Sequence, residues 1–345
     1  MSANQQMLLS AGAEGYNLVV AIAHITSPSV TAYSFSSSLG FGTKFANPST
    51  LPTDHGQDVA FSPNGNQIAV AHIGSPNITA YPWSSSGFGT KYANPSTLPT
   101  GTGYSVAFNS TGTAIAVGHN NSPYITAYPW SGSGFGTKFT DPSTLPAARC
   151  FGVAFSPNGA AIAVGMDASP LVEAYSWSGS GFGTKYSDPS TLPAGRGNAV
   201  AFNPSSTALA VAHENSPNIT VYPWSGSGFG TKYANPSTLP SGSAGRDVTF
   251  SSDGSLIAVA HDSPPNVTVY PWSGSGFGTK YADPGTATGF GGYSVAFTPD
   301  IDAIVVGTSN SPRLQGYPWS GSGFGTKYTD PSPPPPNDAR GIAIT

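Results

Sequence analysis

The chain has 345 residues, of which 8% are charged, with 12 basic against 16 acidic side chains and a formal net charge of −4. That balance lacks the basic footprint of a nucleic-acid binder, and no run of 18 apolar residues is present to cross a membrane as a helix. The 43 Gly and 33 Pro are accompanied by 18 Phe, 16 Tyr and 6 Trp, so turn formers are matched by large core formers, which excludes collagen and ordinary disorder.

Residues 1–16 are read as an N-terminal arm. The first 15 carry no Lys or Arg, so the n-region of a secretory signal is missing and no export signal is expected. The single cysteine, Cys150, cannot form an intramolecular disulfide, so the fold does not depend on an oxidising compartment. The first apolar run, Leu18–Ala23, reads as a β-strand. Soon after it the string Gly40-Phe41-Gly42-Thr43-Lys44-Phe45 appears, and it returns from Gly87, Gly134, Gly181, Gly228, Gly276 and Gly323. All seven lysines of the chain, at 44, 91, 138, 185, 232, 280 and 327, mark this repeat at intervals of 47 or 48 residues.

One unit, from Gly101 to Pro146, predicts four strands separated by turn clusters. Strand a is Ser105–Phe108, strand b Ala114–Gly118, strand c Tyr124–Trp130 and strand d Gly136–Thr140. Turns such as Ser62-Pro63-Asn64-Gly65 join a to b. Strand b is apolar throughout, as in Ile68-Ala69-Val70-Ala71, which expects burial on both faces. Seven such units predict an all-β protein, a seven-bladed β-propeller of four-stranded antiparallel blades spanning residues 17–345.

Val59-Ala60-Phe61-Ser62-Pro63-Asn64-Gly65 followed by Ile68-Ala69-Val70-Ala71 resembles the first two strands of WD40-type repeats. Tyr-Pro-Trp-Ser stands where those repeats carry Trp-Asp, and no Gly-His precedes strand a, so the polar network of WD40 blades is not implied. The Ser-Pro-x-Ile-Thr-x-Tyr strand and Asn-Pro-Ser-Thr-Leu-Pro loop also resemble repeats of tailed-bacteriophage proteins. The chain ends on Arg340-Gly341-Ile342-Ala343-Ile344-Thr345, which fits a strand a with no b, c or d behind it. It is expected to complete the first blade and close the ring. A competing reading gives that place to Met7–Ser10.

The d-to-a and b-to-c loops should share one face, the top, and it is there that the units differ. Arg149, Arg196, Arg246 and Arg340 fall just before or within the start of strand a, Arg313 falls in a b-to-c loop, and His55 takes the place of Arg149 and Arg196. Two residues before the Val or Ile of strand a stand Gln57, Tyr104, Phe151, Asn198, Arg246, Tyr293 and Arg340. A ligand site at this channel mouth is therefore assigned to His55, Tyr104, Arg149, Phe151, Arg196, Arg246, Tyr293 and Arg340. Guanidinium groups offer paired donors to carboxylate or phosphate and aromatic rings offer stacking faces, so an anionic glycan or phosphorylated polymer suits it. The bland alternative pairs the arginines with Asp54, Asp58, Asp247 and Asp338.

Other repeated residues carry their own alternatives. His24, His72, His119, His213 and His261 end five b strands, but equivalent residues on separate blades stand too far apart to share one ion, so they are read as hydrogen-bonded structural groups and no metal or cofactor is expected. Trp83, Trp130, Trp177, Trp224, Trp272 and Trp319 would offer repeated sugar platforms if exposed, or packing between blades if buried. The lysines are read as a solvated rim. With three glutamates, at 14, 173 and 214, no paired carboxylates for glycoside hydrolysis are evident. The sequence alone thus leads to a non-catalytic module. A virion structural or adhesion protein is expected, partnered by other virion proteins or a host-surface glycan, made in a cytoplasm and carried on the virion. A lectin with one sugar site per blade and a cytoplasmic WD40-type scaffold are the alternatives.

Overall fold

A computed structural model describes residues 15–285 and 291–345. Among them there is no helix, and seven sheets of four antiparallel strands form a ring. Each blade runs a, b, c, d from the central channel outward. Blade two, for example, orders Gly56–Phe61, Gln67–His72, Ile78–Ser84 and Gly87–Phe88. The seven a strands touch their neighbours in sequence round the channel, and Ala339–Ile344 lies between the a strands of blades two and seven.

Blade one is completed by the chain's last strand. Ala339–Ile344 pairs antiparallel with Leu18–His24, setting Ile342 opposite Ile22 and Ile344 opposite Val20. The competing strand Met7–Ser10 lies outside the described residues, and the place it would have filled is taken.

Blades hold together through apolar side chains shared by adjacent sheets. Between blades three and four, Ala116, Ile125 and Ala127 meet Val153, Ile162, Val164 and Trp177 in one buried cluster. The b strands are buried along nearly their whole length, as their unbroken apolar runs require. Small Ala residues on strand b let neighbouring sheets approach while large aromatics fill the outer part of the wedge.

Strand d departs from expectation. In five blades it is a two-residue pairing, such as Gly134–Phe135, rather than a strand from Gly136 to Thr140. In blades one and four it runs five residues, Gly40–Lys44 and Gly181–Lys185. The difference lies in the facing strand c. The short cases have Pro82, Pro129, Pro223, Pro271 or Pro318 before the Trp, whereas Ser34 and Ser176 stand there in the long ones. Proline has no N–H for the ladder, so pairing breaks off beside it.

Candidate functional site

Each strand a starts at the top of the channel with a break in its pairing register, such as that between Gly56 and Asp58, which turns two successive residues toward the channel. The residues Gln57, Tyr104, Phe151, Asn198, Arg246, Tyr293 and Arg340 form one ring there. Immediately below comes a second ring, Asp58, Ser105, Gly152, Ala199, Asp247, Ser294 and Gly341. Most of both rings line a cavity of about 440 Å³, within the ~300–1,000 Å³ of ordinary small-molecule sites. Gly152 and Gly341 let adjacent a strands close up round it, since a Cβ on either would come within 2.7 Å of the neighbouring strand's backbone.

Of the residues assigned from sequence, Tyr104, Phe151, Arg196, Arg246, Tyr293 and Arg340 meet in this cavity, and His55 and Arg149 do not. His55 is half exposed beside Asp54, its Nε2 3.6 Å from Oδ1. Arg149 donates from Nε to Asp167 Oδ2 at 2.6 Å, outside the channel. The expected pairing of arginines with Asp58 and Asp247 does not occur. Arg196 reaches Glu214 at 2.8 Å, and Arg246 lies 3.8 Å from Asp262. Arg340 donates to Gln57 Oε1 at 2.9 Å. Tyr104 and Phe151 stack with centroids 4.6 Å apart, and the Arg196 guanidinium sits 4.5 Å over the Phe151 ring. Arg340 lies 5.5 Å over Tyr293.

Sequence reasoning missed the two carboxylates of the second ring as site residues. Asp58 Oδ1 accepts the Val59 N–H at 2.8 Å, and Oδ2 accepts Ser105 Oγ and the Val106 N–H, each at 2.9 Å. Asp247 accepts from Val248 N at 2.8 Å and Val295 N at 2.9 Å, but Ser294, the equivalent of Ser105, donates to Ala339 O instead. Asp247 thus has one fewer donor. Burial pushes the Asp58 carboxyl up to about 6 against the pull of its hydrogen bonds. Burial, with the Asp58 charge across the channel, pushes Asp247 up to about 7. The one sequence feature that sets them apart is that they are the only acidic residues directly preceding the Val of strand a.

The remaining repeated residues are structural. His72, His119, His213 and His261 are buried, and each Nε2 meets the hydroxyl of Thr79, Thr126, Thr220 or Thr268 at 2.8–3.0 Å on strand c of its own blade. The six tryptophans are 3–6% exposed, which removes them as sugar platforms. Trp83 is enclosed by Phe45, Phe61 and Phe88 at centroid distances of 4.8–5.5 Å. The lysines are not a solvated rim either. Lys138 is 19% exposed and pairs with Asp141, and the other six make the same bond to Asn or Asp three residues on, anchoring the loop to the next blade.

Neither a family model nor a curated protein sequence matches the chain. Solved structures match along nearly its whole length. A protein of Bacteroides uniformis provisionally named 6-phosphogluconolactonase has a TM-score of 0.73 at 13% identity, over 95% of this chain and 99% of its own. The periplasmic gluconolactonase of Pseudomonas aeruginosa has a TM-score of 0.70 at 14% identity, over 95% and 99%. A functionally unknown protein of Desulfotomaculum acetoxidans scores 0.70 at 15%, over 94% and 98%. The seven-bladed propeller is therefore a fold shared with proteins named as lactonases, and neither the WD40 nor the bacteriophage resemblance finds a counterpart in these structures.

These neighbours correct the expectation of a non-catalytic virion, lectin or scaffold module, and with it the expectation that the chain is not an enzyme. Glutamates are few and scattered in the chain, but two aspartates supply carboxyl groups that burial raises to about 6 and about 7, in a cavity that also gathers three arginines.

Proposed function

We propose that the chain is a hydrolase that opens an anionic, sugar-derived lactone at the top mouth of its channel. The observation that carries the reading is the meeting, in one cavity, of Arg196, Arg246 and Arg340 with Asp247, a carboxyl whose affinity for protons lies near neutral pH. A general base works best when its pKa is close to the working pH. The names of the structural neighbours support the substrate class.

In this reading ionised Asp247 takes a proton from a water whose oxygen attacks the acyl carbon. The C–O bond of the ring breaks, the ring oxygen leaves as a hydroxyl with the proton returned by the carboxyl, and a hydroxy acid is the product. Guanidinium groups hold the anionic part of the substrate and stabilise charge growing on the carbonyl oxygen. The stacked pair Tyr104–Phe151 offers a flat face to the sugar ring.

Acid release from freshly prepared 6-phosphogluconolactone and gluconolactone, measured above their spontaneous hydrolysis, tests this. The chain is expected to accelerate at least one of them, and Asp247→Asn is expected to lower the enzymatic rate ~100-fold or more without loss of the cooperative melting transition. A rate no higher than the spontaneous one, from folded protein, would remove the proposal.

A further inference from the structure

The mouth arginines are not equivalent in how far their charge is already satisfied. Arg149 and Arg196 each hold a carboxylate through a short hydrogen bond or ion pair. Arg246 has Asp262 only at 3.8 Å, and Asp262 is already bound by Ser243 N at 3.0 Å, Ser243 Oγ at 2.8 Å and Ala244 N at 3.2 Å. Arg340 has a neutral partner, Gln57, and among the described residues it has no ion pair. The Nε atoms of Arg246 and Arg340 are both buried without an acceptor among the described residues. Those two nitrogens are closed off, but both residues line the cavity, so what they offer an anion there is the guanidinium charge and its terminal N–H groups.

These two residues stand on blades six and one, and blade seven between them contributes Tyr293 to the same wall. The blades three and four, on the far side of the ring, contribute the aromatic pair Tyr104–Phe151 instead. One side of the mouth thus carries two guanidinium groups without a close carboxylate, and on the other the aromatic pair lies beneath Arg196, which Glu214 already pairs.

We infer that Arg246, Tyr293 and Arg340 form a seat for a phosphoryl group, so that the site takes phosphorylated sugar acids and lactones in preference to unphosphorylated ones. This rests on the lactone-binding reading of the cavity and specifies its substrate. A phosphate monoester carries about −1.5 to −2 charge and three acceptor oxygens. Two guanidinium groups match it in charge and in forked donor geometry, whereas a single carboxylate would leave donors unused.

Calorimetric titration with 6-phosphogluconate, gluconate and inorganic phosphate tests the seat with ligands whose lactone ring is already open. The test therefore reads recognition apart from catalysis: the seat can fail while gluconolactone hydrolysis stands, and the reverse. The expected result is 6-phosphogluconate binding ~10-fold or more tightly than gluconate, with inorganic phosphate competing. Arg246→Gln and Arg340→Gln should each abolish that preference, while Arg340→Lys keeps part of it and Arg149→Gln all of it, with every variant melting cooperatively. Equal binding of the two sugar acids, a preference that survives both glutamine variants, or absence of saturable 6-phosphogluconate binding would overturn the inference.

Discussion

In four of the seven blades the histidine that ends strand b is hydrogen-bonded to a threonine on strand c, and in the two blades that lack the histidine the threonine is replaced as well. Met166 and Thr308 stand in place of the histidine in blades four and seven, and there Glu173 and Gln315, in place of the threonine, accept from Tyr175 OH at 2.9 Å and Tyr317 OH at 2.7 Å. Such joint replacement is expected of a buried polar pair, because removing one partner leaves the other unsatisfied. Burial pushes His24, His72, His119 and His261 down to about 4, and lowers His213 as well. An unfolded chain binds those protons near pH 6.5, so the stability from neutral imidazoles is present above that value and is lost as pH falls toward 4. Asp58 and Asp247 act in the opposite sense, since their raised carboxyls favour the folded state as pH falls from 7. The histidine share is isolated by substitution. His72→Gln with His119→Gln should show a smaller drop in melting temperature between pH 7 and pH 4.5 than the parent chain. An equal drop would show that these imidazoles do not carry the acid sensitivity.

Strands were legible in the sequence to the extent that their neighbours are dictated by the repeat itself. Strand b announced double-sided burial by its unbroken apolar run, and the closing strand was legible because it lacked successors. Strand d was not, because its length depends on a proline in the strand it faces. Closure makes a prediction at this scale. Without residues 339–345, the inner edge of Leu18–His24 loses its partner strand, and Val20, Ile22, Ala303 and Val305 lose a wall of their cluster. The truncated chain should lose its cooperative melting transition and associate through the open edge. A truncated monomer that melts within a few degrees of the parent would contradict non-covalent closure by that strand.

A near-symmetric ring becomes a site only where its seven copies differ, and here they differ at the top of strand a. The arginines and aromatics there were legible from comparison of the repeats, because those residue types are conspicuous on a chain with 8% charge. Asp58 and Asp247 were not, because an aspartate beside arginines reads as an ion-pair partner until the channel shows it held by backbone N–H groups and desolvated. The tryptophans left packing and platform both open in the sequence, and packing holds, because their burial is a property of adjacent blades. The central claim is that Asp247 acts as the base in lactone opening, and the pH dependence of the enzymatic kcat/KM tests it most directly. With spontaneous hydrolysis subtracted at each pH, the rate should rise through an inflection near the value of about 7 to which burial and Asp58 push Asp247, and Asp247→Asn should retain about 1% or less of it with that inflection gone. A rate that is flat from pH 5 to 8, or an Asp247→Asn variant as fast as the parent, would contradict the account.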